Sequence, residues 1–532
     1  MGKRGLSVSR VLSCEQGANA LFIGTIEAMR KNPSGEGLAF PEEVTQILRA
    51  LSERGHSAYA VGGCVRDLLL GRPPKDWDVA TDAKPEEIQA IFSRPEGGTP
   101  SDSHGATYTT SYENRFGTVG VKTASHDPAL AVVEVTTFRV EGKYTDKRHP
   151  DELRFAKTID EDLARRDFSI NAMASTGREL VDPFGGRADL AVRRIRAVGD
   201  PNERFTEDAL RLMRAVRFAT ELEFVIEEET AGAILRHAGL LEMIAKERVA
   251  EELRRILMAS RGDSGLALLR ELGLLRSVLP ELEEGWSVTQ NKHHIYTVWE
   301  HNLRSLRYTC ERGYSFEVRM ASLLHDVGKP RVKRGEGPDS TFYGHEVVGA
   351  RMATHTLSRL KFSREEIEKI ALLVRAHMFN YDPEVVTDAS VRRLVAKVGP
   401  ENIRELVQVR EADRIGSGVP KAVPYRLRHF VFRVEKVLTE PVSRKQMKLN
   451  GDDLIKALGL APGPRLGAIL DALFEEVLDD PSRNEREALL KRAEELNGRT
   501  DEDLARLRRE AQEKYQAVLT EEEEAMKRKH RV

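Results

Sequence analysis

The sequence is poor in cysteine and contains no long apolar run. Its three cysteines, Cys14, Cys64 and Cys310, are spaced neither as a disulfide framework nor as a metal finger, which predicts a reducing, cytoplasmic environment. No run approaches the roughly 18 apolar residues of a membrane-spanning helix. The short apolar stretch 21–26 follows no clear basic segment, so it does not predict a secretory signal. We therefore expect no membrane partner.

The sequence also lacks an excess of charge of either sign. Its 83 Lys and Arg nearly balance its 85 Asp and Glu, giving a net charge of −2, so overall charge neither favours nor excludes nucleic acid. An RNA-binding protein with this balance must gather its basic residues on one face. The apolar content of 40% and charged content of 32% are typical of a soluble, helix-rich globular protein. A length of 532 residues predicts three or four domains at about 150 residues each.

A glycine turn follows the first strongly apolar segment. Tyr59 begins a short strand pattern that Gly62 and Gly63 end, and residues 65–71 then predict a short helix with Arg66 in its first turn. Glycines at a strand-to-helix turn let the backbone approach a phosphate. A plain turn is the simpler explanation for Gly-Gly alone.

Two aspartates follow this turn. Asp76 and Asp78 alternate along an extended segment, so we expect both carboxylates on one face of a strand. Adjacent carboxylates repel each other and favour a bound divalent cation, although a solvated strand edge would also explain them. With the glycine turn and Arg66, they resemble the active-site signature of the nucleotidyltransferase superfamily, specifically the class II tRNA nucleotidyltransferase and bacterial poly(A) polymerase family. The resemblance implies that Asp76 and Asp78 are catalytic and hold Mg²⁺, and that Gly63 and Arg66 bind the nucleotide.

A third acid lies in a later strand pattern. Residues 131–139 are rich in β-branched side chains and include Glu134 between two valines. A buried acid is costly unless it is paired or bound to metal, so Glu134 either faces solvent or completes a site. The resemblance implies that it is the third carboxylate of the metal site.

The segment 159–174 predicts a helix with a charged motif. Arg165, Arg166, Asp167 and Asn171 each fit a salt-bridged helix surface, but the whole string resembles the family's RRDFxxNA motif. The resemblance implies contacts with the ribose and triphosphate. Upstream, residues 94–114 predict a surface loop. The charged loop 141–150 corresponds to a flexible loop that the family uses to add the terminal A, and its presence speaks against an enzyme that adds only CC.

The pattern of residues 207–218 predicts an amphipathic helix with Asp208, Arg211, Arg214 and Arg217 on one polar stripe. An acidic and a basic side chain three residues apart can also form an ion pair that only stabilises the helix. A carboxylate accepts hydrogen bonds and a guanidinium donates them, so the pair also matches the amino group and ring nitrogen of cytosine or adenine and mismatches uracil and guanine. The string resembles the family's EDxxR motif, which implies a base template of Asp208 and Arg211 and triphosphate contacts from Arg214 and Arg217.

A second set of metal-ligating residues occurs further along the chain. A lone histidine on a helix is usually a satisfied core or surface residue, but here an adjacent His-Asp dyad is followed by Gly-Lys. The set resembles the HD phosphohydrolase superfamily, which implies a divalent Ni²⁺, Mn²⁺ or Mg²⁺ ion and phosphodiesterase or phosphatase activity, with 2′,3′-cyclic phosphates at damaged tRNA ends as one substrate. The residues are His301, His325, Asp326 and Asp413, with His345 and His377 fitting the extended set.

The resemblance implies an α+β protein with a small mixed sheet in its head and helices elsewhere. In the C-terminal part, residues 449–467 predict a helical hairpin and residues 484–532 a single solvated helix. The predicted divisions are a flexible extension (1–38), nucleotidyltransferase head (39–180), all-α neck with the template (181–285), HD phosphohydrolase domain (286–425) and helical tRNA-binding tail (426–532).

The favoured function is addition or repair of the 3′-terminal CCA of tRNA with CTP and ATP, by two-metal-ion nucleotidyl transfer. Three alternatives stay open on the sequence. In the first, the chain adds only the terminal A and a separate enzyme adds CC. In the second, it is a poly(A) polymerase. In the third, the HD centre is the working enzyme and the head only binds RNA.

Overall fold

The computed structural model describes residues 37–92, 109–112, 117–141, 153–291, 295–379, 381–418, 422–507 and 509–510. The predicted N-terminal extension before residue 37, the charged loop after residue 141 and most of the predicted loop 94–114 lie outside these ranges. The chain forms two compact units, Met1–Ile244 and Ala245–Val532. The four domain boundaries drawn from the sequence stay predictions. None of the helices described is both long enough and apolar enough to cross a membrane.

The first unit contains a seven-stranded mixed sheet. Its strands are β1 (Ala58–Val61), β2 (Asp78–Thr81), β3 (Thr109–Tyr112), β4 (Thr118–Lys122), β5 (Val132–Thr137), β8 (Ala174–Ser175) and β9 (Leu180–Val181). They lie in the order β3-β4-β5-β2-β1-β8-β9. Only β2 and β5 pair in parallel; the other neighbours are antiparallel. β3 occupies part of the segment predicted as a surface loop, so that prediction is wrong for residues 109–112.

Two shorter pairs complete the strands of this unit. They are antiparallel β6 (Arg139–Glu141) with β7 (Leu153–Phe155), and parallel β10 (Arg194–Ile195) with β11 (Val225–Ile226). Its helices are α1 (Glu42–Ser52), α2 (Gly63–Leu69), α3 (Pro85–Phe92), α4 (Ile159–Ala164), α5 (Gly186–Ala191), α6 (Pro201–Glu207), α7 (Leu210–Leu222) and α8 (Glu228–His237), with 3₁₀ turns at Ser169–Asn171 and Ala238–Met243.

Helix α1 is amphipathic and precedes the first strand. Val44, Ile47, Leu48 and Leu51 recur at the three- and four-residue spacing of one helix face, and all are buried. Burial of such a side chain stabilises the fold by about 1.5–3 kcal/mol. This apolar face therefore fixes α1 on the sheet, ahead of β1.

The helix predicted over 159–174 ends early. α4 begins with a capping box between Thr158 and Glu161 and ends at Ala164. Beyond it, the Ser169 N–H donates to the Arg196 carbonyl at 2.9 Å, and the carbonyl of Asp167 accepts from Val198 N–H at 3.2 Å. These long-range backbone bonds compete with the helix ladder, so the chain turns through the 3₁₀ segment into β8.

The helix predicted from Glu207 is also interrupted. α6 ends at Glu207, and Asp208 is extended, with φ −133° and ψ 104°. Its Oδ1 accepts a hydrogen bond from Leu210 N–H at 3.0 Å, at the start of α7. Because Asp208 precedes the helix, it does not share one continuous stripe with the three arginines.

The second unit is helical throughout the residues described. Its helices are α9 (Lys246–Met258), α10 (Gly262–Glu271), α11 (Leu275–Val278), α12 (Pro280–Glu283), α13 (Val298–Glu311), α14 (Phe316–Leu324), α15 (Lys329–Val332), α16 (His345–Arg359), α17 (Arg364–Ala376), α18 (Asp388–Val398), α19 (Ile403–Gly416), α20 (Tyr425–Val437), α21 (Gly451–Leu458), α22 (Pro464–Asp479) and α23 (Arg486–Asn497). α13 packs against α14 and α19, and α17 packs against α14 and α16.

The C-terminal helices form their own apolar cluster. The predicted hairpin is present as α21 and α22, with Gly459 ending α21 at φ 64°. The single solvated helix predicted after residue 484 is wrong for the residues described. Leu489 and Leu496 of α23, and Leu504 after it, are buried in the cluster, because their leucine spacing supplies an apolar face to α21 and α22.

Candidate active sites

The glycine turn closes tightly over charged side chains. Gly62 has φ 78°, and a Cβ there would lie 2.6 Å from Nη1 of Arg166. A Cβ on Gly63 would lie 3.8 Å from Nη2 of Arg66 and 3.9 Å from Oδ1 of Asp76. The positive φ therefore favours glycine at position 62, and an added Cβ would displace the guanidinium of Arg166.

Three carboxylates gather beside this turn. The parallel pairing of β2 with β5 aligns Asp78 with Glu134, and Asp76 lies just before β2. Glu134 is exposed, while Val133 and Val135 on either side of it are buried. The alternation of β5 thus turns Glu134 away from the core, and its role as the third carboxylate of a metal site stays a prediction.

The charges of these acids act on one another. Burial raises the pKa of Asp78 to about 6, Arg166 opposes the rise, and Asp76 and Glu134 add to it. The oxygens of Asp76, Asp78 and Glu134 lie further apart than the donor atoms of the histidine and aspartate groups in the second unit, which lie within 4.8 Å of one another. Oxygen ligands of this kind suit Mg²⁺, and a cation would relieve their repulsion.

Four of the predicted nucleotide-binding residues form one hydrogen-bonded chain, which we call the Arg66–Arg214 chain. Arg66 Nη1 donates to Asn171 Oδ1 at 2.7 Å, and Asn171 Nδ2 donates to Asp167 Oδ1 at 3.2 Å. Arg214 Nε donates to Asp167 Oδ2 at 2.7 Å. These hydrogen bonds link α2, the segment after α4 and α7. They fix the guanidinium of Arg66 beside the glycine turn and that of Arg214 on Asp167.

Asp162 is a residue that the sequence reasoning missed. It is buried and binds two motif arginines, accepting from Arg165 Nη2 at 2.8 Å and from Arg166 Nη2 at 3.2 Å. Burial opposes its ionisation, but Arg165 and Arg166 outweigh burial and lower the pKa of Asp162. The three- and four-residue spacing from Asp162 to these arginines was the available signal.

Arg211 of the predicted template and Arg217, predicted to contact the triphosphate, each pair with an acid on a neighbouring turn. Arg211 is buried, donating from Nη1 to Glu207 Oε2 at 2.8 Å and from Nη2 to the Arg165 carbonyl at 2.9 Å. Arg217 is buried too; its Nη1 donates to Glu221 Oε2 at 2.9 Å. The guanidinium carbons of Arg66, Arg214 and Arg217 lie 5.4, 5.3 and 4.0 Å from the centroid of the same Phe218 ring, and a triphosphate contact by Arg217 stays a prediction.

The second centre brings together His301, His325, Asp326 and Asp413. They come from α13, the end of α14 and α19, which are far apart in sequence. The Nε2 atoms of His301 and His325 face each other at 2.8 Å. His301 Nε2 also lies 3.1 Å from Asp326 Oδ2 and 3.3 Å from Asp413 Oδ1.

His345 and His377 lie beside the second carboxylate oxygen of Asp326, Oδ1. Their Nε2 atoms lie 3.3 Å and 4.0 Å from Asp326 Oδ1. The six predicted residues therefore surround one buried point, with one oxygen of Asp326 directed to each pair of histidines. Two groups of donors whose atoms lie within 4.8 Å share this aspartate.

The orientation of the imidazoles fits a metal ion. His325, His345 and His377 place Nδ1 within 2.7–2.8 Å of a backbone carbonyl, so in the neutral ring Nδ1 donates and Nε2 keeps its lone pair. The Nε2 atoms of His345 and His377 are buried and form no hydrogen bond within the part of the chain described. Lone pairs directed at one point, with two carboxylates, form the donor set that a divalent transition metal prefers.

Charge is concentrated at this centre. Burial disfavours the imidazolium of His325, but Asp326 and Asp413 outweigh it and raise the pKa of His325 to about 10. Burial and the charge of His325 hold the pKa of His377 well below its usual range. A positive charge on His325 therefore disfavours a second positive charge on His377.

Lys329 is a further residue at this centre that the sequence analysis did not assign to the site. Its Nζ lies 2.6 Å from Asp326 Oδ2 and donates to Gln290 Oε1 at 2.6 Å. Its position three residues after Asp326 was the signal. Lys329 thereby places a positive charge against the shared carboxylate.

Comparisons with known proteins agree with both centres. Three family models match the chain: "Poly A polymerase head domain" over residues 58–196, "Probable RNA and SrmB- binding site of polymerase A" over 223–285 and "HD domain" over 298–417. The chain is 38% identical to an A-adding tRNA nucleotidyltransferase of Deinococcus radiodurans, over 60% of this chain and 75% of that protein. It is 34% identical to a CCA-adding enzyme of Levilactobacillus brevis, over 85% of this chain and 97% of that protein.

The fold agrees as well. The crystal structure of the Bacillus stearothermophilus CCA-adding enzyme in complex with CTP matches with a TM-score of 0.62 and 29% identity, covering 86% of this chain and 97% of that one. These findings confirm the resemblance seen in the sequence motifs and the predicted α+β class. The chain belongs to the tRNA nucleotidyltransferase and poly(A) polymerase family, with an HD domain in its second unit.

Proposed function

We propose that this chain adds the 3′-terminal CCA to tRNA with CTP and ATP. The observation that supports the proposal most directly is the convergence of Asp76, Asp78 and Glu134 beside the Arg66–Arg214 chain. Acids that can hold Mg²⁺ next to fixed guanidinium groups are what phosphoryl transfer from a nucleoside triphosphate requires. Relatives named CCA-adding enzymes align along nearly their whole length.

We assign the following roles to residues of the first unit. Asp76 and Asp78, with Glu134, hold Mg²⁺, which when bound neutralises phosphate charge and favours ionisation of the attacking hydroxyl. Arg66 and Arg166 lie at the glycine turn and bind the triphosphate. Asp162 and Asp167 orient arginines and do not touch the reacting atoms.

Base selection rests on Asp208 and Arg211. Arg211 must exchange its contact with Glu207 for the base, because its Nη1 donates to Glu207 Oε2 at 2.8 Å. Asp208 accepts from the amino group of cytosine or adenine, and uracil and guanine mismatch both side chains. Asp208→Ala should relax selection for CTP and ATP, and unchanged selection would refute the template.

Incorporation on three tRNA transcripts, ending before CCA, after one C and after CC, tests the main proposal. We expect CTP and ATP to extend all three to a finished CCA and then stop. Asp76→Asn should abolish incorporation, whereas the matched control Asp160→Asn, at an exposed acid, should not. Survival of incorporation in Asp76→Asn would refute the metal assignment.

Addition of A alone is a second candidate, because the Deinococcus relative at 38% identity is an A-adding enzyme. In that case only the transcript that ends in CC gains a nucleotide. A long A tail on any RNA would instead indicate a poly(A) polymerase. Absence of all incorporation would leave the HD centre as the working site.

We also propose that the HD centre is a phosphohydrolase that uses Ni²⁺, Mn²⁺ or Mg²⁺. Two carboxylates and four inward-facing imidazoles support it. Hydrolysis of p-nitrophenyl phosphate and of 2′,3′-cyclic nucleotides with each metal tests this activity, and Asp326→Asn should abolish it. The free, buried Cys64 and Cys310 fit a reducing, cytoplasmic location.

A further inference from the structure

Two arginines on the helices of the HD centre have no carboxylate partner among the residues described. Arg304 lies one turn after His301 on α13, and Arg414 directly follows Asp413 on α19. Neighbouring arginines differ, since Arg410, for example, pairs with Asp413 at 2.6 Å. Within the part of the chain described, no carboxylate therefore pairs with Arg304 or Arg414, which lie on the two helices that carry His301 and Asp413.

Each of these arginines is held by a tyrosine. The guanidinium carbon of Arg304 lies 4.2 Å from the ring centroid of Tyr296. Arg414 Nη1 donates to the Tyr381 hydroxyl at 2.6 Å. The Nε atoms of both arginines are buried and form no hydrogen bond to a described residue. A fixed, partly desolvated guanidinium favours an anionic ligand, because burying its charge is costly without one.

Both arginines lie near the C-terminal end of α19. A Cβ on Gly416 would lie 3.0 Å from His301 Nδ1, so α13 and α19 meet closely at the metal centre. A Cβ on Gly418 would lie 3.2 Å from the ring of Tyr296, the ring that holds Arg304. Arg414 is one turn before Gly418, which is itself exposed. Arg414 and the tyrosine ring that holds Arg304 thus both lie near this helix end, and Asp413 lies in the last turn of the same helix.

We propose that Arg304 and Arg414 bind phosphates adjacent to the one hydrolysed at the HD centre, so that this site selects an RNA 3′ end over a small phosphate ester. A guanidinium binds a phosphate through two parallel hydrogen bonds, and two such groups match successive phosphates of one strand. The inference rests on the proposed hydrolase. The RNA 3′ end is favoured as the source because the other proposed activity of this chain acts on the same end.

The test uses the full chain with Mn²⁺ and compares an RNA oligonucleotide ending in a 3′-phosphate with p-nitrophenyl phosphate. Arg304→Met and Arg414→Met should each lower kcat/KM for the RNA about tenfold more than for the small ester, the scale of a lost hydrogen bond to a charged group. Arg304→Lys should recover part of the loss. Arg331→Met is the control, because this exposed arginine is paired with Glu284.

Salt dependence separates phosphate binding from a structural role. In the Met variants, the slope of log Kd for RNA against log salt should fall by about 0.7 per arginine, and in Arg331→Met it should not. An unchanged slope would overturn the inference even with an active hydrolase. If wild-type protein hydrolyses neither compound, the hydrolase proposal fails, while the slope still decides whether the arginines bind RNA phosphates. If the Met substitutions weaken inhibition by ATP but not RNA binding, the site binds a nucleoside polyphosphate and the assignment to an RNA end is wrong.

Discussion

Replacing Asp167 with Asn tests the Arg66–Arg214 chain. Asp167 is buried, and its Oδ2 accepts from Arg214 Nε at 2.7 Å. Burial alone would raise the pKa of Asp167, but Arg214 and the hydrogen bond from Asn171 outweigh it and lower the pKa from 3.8 to about 2. The ionised carboxylate is therefore preferred in the folded chain.

The magnitude follows from this difference in pKa. At ~1.36 kcal/mol for each tenfold change in acid strength, a fall from 3.8 to about 2 corresponds to ~2.4 kcal/mol of stabilisation. Because the folded pKa is the lower one, the stabilisation is present above about pH 4 and is lost as the pH falls through about 2. Asn cannot ionise, and its amide would set a donor against Arg214, so Asp167→Asn should lose this contribution at pH 7.

Hydrogen exchange with mass spectrometry measures the effect locally, which matters because a chain of two compact units need not unfold in one step. At pH 7 the backbone amides of residues 168–175 should exchange roughly 60-fold faster in Asp167→Asn, the factor that ~2.4 kcal/mol implies. The control Asp160→Asn removes an exposed carboxylate nearby and should leave exchange unchanged. A change of less than about fivefold in Asp167→Asn would refute the reasoning, as would a difference in thermal stability that did not shrink toward pH 2.

Three further predictions follow from other parts of the fold. Gly62→Ala should lower nucleotide incorporation at least about tenfold and cost ~1–3 kcal/mol, because an added Cβ would meet a guanidinium nitrogen at 2.6 Å. Gly71→Ala is the control, with φ 69° but no atom near its Cβ; equal losses in both variants would show that the φ angle alone matters. Leu496→Ala should destabilise the C-terminal cluster by about 2–5 kcal/mol in urea denaturation, whereas the exposed Glu494→Ala should not, and similar midpoints for both would contradict the burial of α23. Cys64, whose pKa burial raises to about 12, should resist iodoacetamide at pH 8 until the protein is unfolded, and rapid labelling of the native chain would disprove its burial.

Local sequence signals predicted the elements that depend on neighbouring residues. The apolar spacing of α1 and the glycine turn after β1 are present as expected. The dyad His325-Asp326 is also placed locally, because its two residues are adjacent in sequence. The orienting residues Asp162 and Lys329 were missed, although each lies three residues from a partner.

The wrong predictions fall where distant segments compete with local preference. The helix predicted over 159–174 stops at Ala164, since backbone groups near residues 196–198 bind the chain beyond it. For Glu134, the flanking valines left two alternatives open, a solvent-facing acid or part of a site. The pairing of β5 with β2 and β4 buries the valines and leaves the acid on the open face beside Asp78.

The sequence by itself determined which chemical groups this protein has: carboxylates and arginines at motif spacing in the first unit, and histidines with aspartates in the second. Only the tertiary structure decided which of them meet. The parallel pairing of β2 with β5 brings Asp78 to Glu134, and the packing of α13, α14 and α19 brings His301, His325 and Asp413 together. It also gathers the guanidinium groups of Arg66, Arg214 and Arg217 around the ring of Phe218. Contacts between residues distant in sequence depend on how whole faces of strands and helices are buried, and no spacing within one segment specifies that.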